Sequence, residues 1–170
     1  MAPPKSNPNE YVSCLSQIGV LVADEDRRIA TIVRNVLESL GFSIIHLASN
    51  GEHAMQLLKT EKIDMIITDW QMSPMDGITL AKYLRTMEDS PNRFIPIIML
   101  TGNADRVHVE TARDVGVTEF VVKPFSAKTL CDRIQMLIEN PRSFILSKTF
   151  TGPDRRRRSS APPDGTEKRK

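Results

Sequence analysis

A doubly wound α/β sandwich on a five-stranded parallel sheet is the fold this sequence predicts. Three observations point to it. Apolar runs of strand length occur five times, several are rich in Val and Ile without polar alternation, and helical stripes lie between them. Runs of that kind suit strands covered on both faces of a parallel sheet. Five β–α repeats within about 120 residues suit helices on both sides of that sheet.

The elements follow in order. Residues 1–16 hold three prolines and few apolar side chains and are expected to form a flexible leader. The predicted strands are IGVLVA (18–23), SIIHL (43–47), IDMIIT (63–68), IPIIML (95–100) and EFVV (119–122). Ile29, Ile32, Val33, Val36, Leu37 and Leu40 form one helical stripe, stopped at Gly41, which suits a left-handed cap. Segments 51–60, 76–87 and 104–115 supply three weaker helical patterns. Leu130, Ile134, Leu137 and Ile138 mark a fifth helix before Pro141, with Ser126 as its N-cap. Residues 17–139 thus read as one domain. Residues 140–170 read as a basic, disordered tail containing one short apolar patch, Phe144-Ile145-Leu146.

Composition narrows the function classes. The chain is 40% hydrophobic and 26% charged, an ordinary globular balance. No apolar run approaches the roughly 20 residues that span a bilayer. The opening MAPPKSNPNEYVS lacks the apolar core of a secretory signal. Cys14 and Cys131 have no metal or redox spacing, so the expected location is a reducing cytoplasm. Residues 140–170 carry nine Lys/Arg against three Asp/Glu, a balance of +6. Residues 1–139 keep 14 basic against 18 acidic residues, a balance of −4. An acidic body carries a basic tail.

Parallel sheets gather function beyond the carboxyl ends of their strands. Strand one ends in Asp24-Glu25-Asp26, strand three in Asp69, strand four in Thr101-Gly102 and strand five in Lys123-Pro124. Converging carboxylates repel, and a hard divalent ion with oxygen ligands relieves them. Mg²⁺ keeps waters and needs few carboxylates, so it suits a small site better than Ca²⁺ does. A lysine and a threonine hydroxyl suit phosphoryl oxygens, leaving one carboxylate as a nucleophile towards phosphorus. Phosphoryl transfer asks chiefly for positioning and charge neutralisation.

The blocks VLVADEDRRI…VRNVLESLGF, IITDWQMSPMDG, IIMLTGNAD and EFVVKPFSAKTL together resemble the receiver domains of two-component response regulators. The likeness covers about residues 17–139 and is nearest to stand-alone receivers of the bacterial chemotaxis (CheY-like) type. It implies a flavodoxin-like sheet of order 2-1-3-4-5 with five helices. It also implies a phosphoacceptor, Asp69, charged by a sensor histidine kinase or histidine phosphotransfer protein. The implied cofactor is Mg²⁺ (or Mn²⁺), held by Asp24, Glu25, Asp69 and the main-chain carbonyl of Gln71. Glu25 stands where a second Asp is commonest. Thr101 and Lys123 match the phosphoryl-contacting pair. Thr101 and Phe120 match the switch pair, although Phe120 lacks the hydroxyl of the family's frequent Tyr. The Lys123–Pro124 peptide is implied to be cis. The resemblance implies a switch, not an enzyme, that assists only its own phosphoryl transfer and dephosphorylation. Its downstream target would bind the face of helix four, strand five and helix five, with a phosphorylation-dependent homodimer as one further form of output. No DNA-binding domain is expected.

Local alternatives exist for each residue. Asp26 reads as a helix cap, Thr101 as a possible cap of helix four, and His46, His53 and His108 as structural or surface residues. Met72 and Met75 read as pocket-wall packing, and Gly77 and Pro74 as turn formers. Asp24-x-Asp26 superficially resembles the nucleophile and acid/base pair of haloacid-dehalogenase-like phosphatases. Arg27-Arg28 follows where that family wants Thr or Val, its late acid pair is absent, and no cap domain fits. The tail RRRRSS could contact nucleic acid, anionic lipid, a partner protein or the receiver's own acidic surface; it carries charge without specificity.

Overall fold

The computed structural model describes residues 14–103, 105–147 and 150–154. Five parallel strands, β1 (Gly19–Ala23), β2 (Ile44–Ala48), β3 (Met65–Asp69), β4 (Ile97–Thr101) and β5 (Glu119–Val122), form one sheet in the order β2-β1-β3-β4-β5. Between and after them run α1 (Arg27–Leu40), α2 (Gly51–Thr60), α3 (Gly77–Thr86), α4 (Arg106–Val115) and α5 (Ala127–Glu139).

Strand periodicity splits the core into two layers. Val20 and Val22 of β1, Met65 and Ile67 of β3, and Ile98 and Leu100 of β4 face α1 and α5, packing with Val33, Leu37, Leu130 and Ile134. Their neighbours Leu21, Ala23, Ile66, Ile97 and Met99 face the other way, towards Ala54, Leu58, Leu80, Leu84 and Ala112 of α2, α3 and α4. The three central strands are buried at every position. The edge strand β2 is not, and Ile44 and Leu47 are exposed.

Caps end the helices where side-chain chemistry allows. Asp26, Asn50, Asp76, Asp105 and Ser126 each accept a main-chain N–H at a helix start. Gly41 and Gly116 close α1 and α4 with φ of 102° and 91°, a region where a side chain would be strained.

Two boundaries differ from the sequence reading. Leu15, assigned to the leader, is buried against α1 and the β1 layer; residues 1–13 lie outside the described residues. The segment after α5 does not dissolve at residue 140. It forms an antiparallel hairpin, β6 (Phe144–Leu146) with β7 (Thr151–Pro153), that packs back on the domain. Arg85 of α3 anchors it. Its side chain is buried and donates to the carbonyls of Gly116, Arg93 and Ile95, while its guanidinium carbon lies 5.2 Å from the Phe144 ring centroid. Phe144 also meets Phe94 edge to face at 5.7 Å. Burial pushes the Arg85 pKa down to about 10. Arg142 clamps the same region to β5 through Glu119, at 2.6 Å. The arginine-rich stretch 155–158 lies outside the described residues.

Candidate functional site

The strand order places the ends of β1, β3, β4 and β5 side by side, so residues distant in sequence become neighbours. Lys123, just past β5, holds two of them: its Nζ lies 3.0 Å from Asp24 Oδ2 and 3.0 Å from Asp69 Oδ1. Asp24 is almost wholly buried, and its other oxygen accepts from the main-chain N–H of Asp26 at 2.8 Å. Asp69 is buried at 8% exposure, and Oδ1 also accepts from the N–H of Trp70 at 2.8 Å. Its Oδ2 makes no hydrogen bond among the described residues.

The electrostatics follow from that sharing. Burial pushes the Asp69 carboxyl above the ordinary carboxylate range, the charge of Asp24 pushes the same way, and Lys123 only partly opposes them. Burial works against the Lys123 ammonium as well, but its hydrogen bonds to Asp69 and Asp24 and their charges prevail and raise its pKa. One ammonium thus serves two carboxylates, and Asp69 rises despite its ion pair chiefly because burial outweighs it.

A cavity of about 300 Å³ opens beside Asp69, lined by Trp70, Gln71, Thr101, Gly102, Asn103, His108 and Lys123. Of the expected site residues, Asp69, Gln71, Thr101 and Lys123 are therefore together. Phe120 stands behind Thr101 in a narrow crevice shared with Trp70, Met99 and His108. The Lys123–Pro124 peptide is cis, and so is Ser73–Pro74. Glu25 is exposed, and among the described residues no three His, Cys, Asp or Glu side chains stand close enough together to hold an ion. Two carboxylates, Asp24 and Asp69, stand together on Lys123, too few for a calcium cage.

Several local assignments change. Thr101 does not cap α4; Asp105 does, and the Thr101 hydroxyl donates to the carbonyl of Asn103 at 2.9 Å while accepting its N–H at 3.1 Å. Met72 lies in the core and Met75 against Gly51, so neither lines the cavity. Gly77 is needed for close approach: a Cβ there would collide with the carbonyl oxygen of Asp69. His108, set aside in the sequence, lines the cavity and packs on Trp70 with ring centroids 4.9 Å apart. Asp26 is a cap whose carboxylate pairs with Arg28, and Asp24 is bound to Lys123.

Comparison with known proteins identifies the family of the chain. The response regulator receiver domain family matches residues 20–135. Chemotaxis protein CheY-3 of Vibrio cholerae is 35% identical over 120 residues, covering 71% of this chain and 91% of that protein. Chemotaxis protein CheY of Pseudomonas aeruginosa is 33% identical, covering 71% and 95%. The solved structure of the chemotaxis response regulator CheY4 of Vibrio cholerae superposes with a TM-score of 0.65 at 30% identity, covering 71% of this chain and 98% of that one. Among the described residues no helix is long and apolar enough to cross a membrane. The chain belongs to the response regulator receiver domains of two-component signalling, and is CheY-like.

Proposed function

We propose that Asp69 is the phosphoacceptor of a signalling switch and takes its phosphoryl group from a histidine kinase or phosphotransfer protein. The observation that carries this reading is the asymmetry of its carboxylate. Oδ1 is held by Lys123 and Trp70, and Oδ2 has no partner among the described residues beside a cavity large enough for a phosphoryl group. Mg²⁺ (or Mn²⁺) held by Asp24, Asp69 and the Gln71 carbonyl, with Glu25 reaching it only by turning in from the exposed rim, would supply positive charge to the phosphoryl oxygens. Lys123 orients the carboxylate and receives a phosphoryl oxygen; Thr101 supplies a hydroxyl once it leaves the Asn103 loop.

That movement links the site to the output face. Phe120 lies next to Thr101, so displacement of the threonine opens space for the ring. Between α4, β5 and the segment that follows α5 lies another cavity of about 320 Å³, lined by Val109, Ala112, Phe120, Arg142 and Pro153 among others. A downstream protein binding there would read the position of Phe120. Incubation with a panel of phosphorylated kinases, or with acetyl phosphate and Mg²⁺, tests the reading. Wild type should gain one phosphoryl group, and equal labelling of Asp69→Asn would overturn it.

A further inference from the structure

His108 is placed to do more than pack. It belongs to both the cavity beside Asp69 and the crevice beneath Phe120, and its ring rests on Trp70, the residue next to the acceptor. Its Nδ1 lies 2.8 Å from Asp105 Oδ1. A carboxylate only accepts hydrogen bonds, so in the neutral ring Nδ1 carries the proton and Nε2 keeps its lone pair. Nε2 has no partner among the described residues. Asp105 is itself fixed, because its carboxylate caps α4 through the N–H of His108 and accepts from the Asn103 side chain at 3.0 Å. An imidazole that lines a reaction cavity, with one nitrogen oriented by a buttressed carboxylate and the other left with its lone pair, has the makings of a general base.

We propose that His108 is a general base for hydrolysis of the phosphoryl group on Asp69, with Asp105 as its positioning residue; this rests on Asp69 being the acceptor. Water in the cavity attacks phosphorus and gives its proton to Nε2 of His108. The new P–O bond forms as the bond to the Asp69 oxygen breaks. Inorganic phosphate leaves, the Asp69 carboxylate returns, and the imidazolium of His108, partly exposed, hands its proton to bulk water. Lys123 and Asp69 are the other charged groups on the cavity wall, and Lys123 neutralises the departing carboxylate. The site would make this chain a timer of its own signal, set by a residue of α4.

The test uses the full chain, loaded with acetyl phosphate and Mg²⁺ and then desalted, with loss of the acyl phosphate followed by intact mass. His108→Ala and His108→Gln both keep the main-chain N–H that Asp105 caps, so two variants guard against a folding failure. Once loaded, each should lose the phosphoryl group more slowly than wild type by on the order of a hundredfold. Added imidazole should restore hydrolysis in His108→Ala, which a packing role would not allow. Hydrolysis at the wild-type rate in either variant, or slow hydrolysis that imidazole does not restore, overturns the assignment. If wild type takes no label at all, the acceptor reading itself fails, which is a separate result.

Discussion

The ammonium of Lys123 lies 3.0 Å from the carboxylate of Asp24, 99 residues earlier in the chain. That contact fixes the end of β5 to the end of β1, with Asp69 of β3 held between them by the same nitrogen. Lys123→Met would leave two buried carboxylates without their shared cation. It should cost about 3 kcal/mol of folding stability. Mg²⁺ should recover more of the melting temperature in the variant than it adds to wild type, as read by thermal unfolding with and without the ion.

Asp69 predicts a pH dependence of definite sign. Burial and Asp24 raise its folded pKa above the ordinary 3.8. Between those two values the folded state binds more protons than the unfolded one, so stability falls as pH rises through the window. Asp69→Asn removes that loss. It should therefore unfold at a higher temperature than wild type at pH 7, and the gap should close on acidification below the ordinary carboxylate value. Melting curves across pH check both parts.

Gly77→Ala probes the packing beneath the acceptor. The added methyl would meet the Asp69 carbonyl oxygen and lie 3.1 Å from the Met99 sulfur. We expect a loss of about 2 kcal/mol together with weaker phosphoryl acceptance, because the strain falls on the main chain of Asp69. Denaturant unfolding and acetyl phosphate labelling measure the two effects.

The hairpin should behave as part of the domain. Phe144→Ala removes the ring that covers the Arg85 guanidinium and meets Phe94, at a cost of about 2 kcal/mol. Labelling should persist in this variant, because the ring is not among the residues lining the Asp69 cavity. Thermal unfolding beside a labelling assay separates the two outcomes.

The parts of the fold that declare themselves in sequence are those governed by period. Val20 and Val22 alternate with Leu21 and Ala23, and the two sets fill opposite core layers. Gly41 and Ser126 act at their helix ends as their residue types suggest. The site is legible because Asp24, Asp69, Thr101 and Lys123 each follow an apolar run. What stays hidden depends on contacts between distant segments. Three-residue strands such as Phe144–Leu146 are too short to show a period. Arg85 is buried because main-chain carbonyls of Gly116, Arg93 and Ile95 surround it, and carbonyl positions leave no mark in composition. His108 has no ligand spacing to its fellow histidines; only the folded placement of α4 brings it to Trp70, just past β3.

The most direct test of the central claim is a crystal structure of the full chain grown with Mg²⁺ and beryllofluoride. The account predicts an adduct on Asp69, Lys123 and the Thr101 hydroxyl turned towards its fluorines, and the Phe120 ring moved into the space Thr101 leaves. An adduct elsewhere, or a Lys123 that stays on Asp24 with Asp69 unmodified, would contradict it.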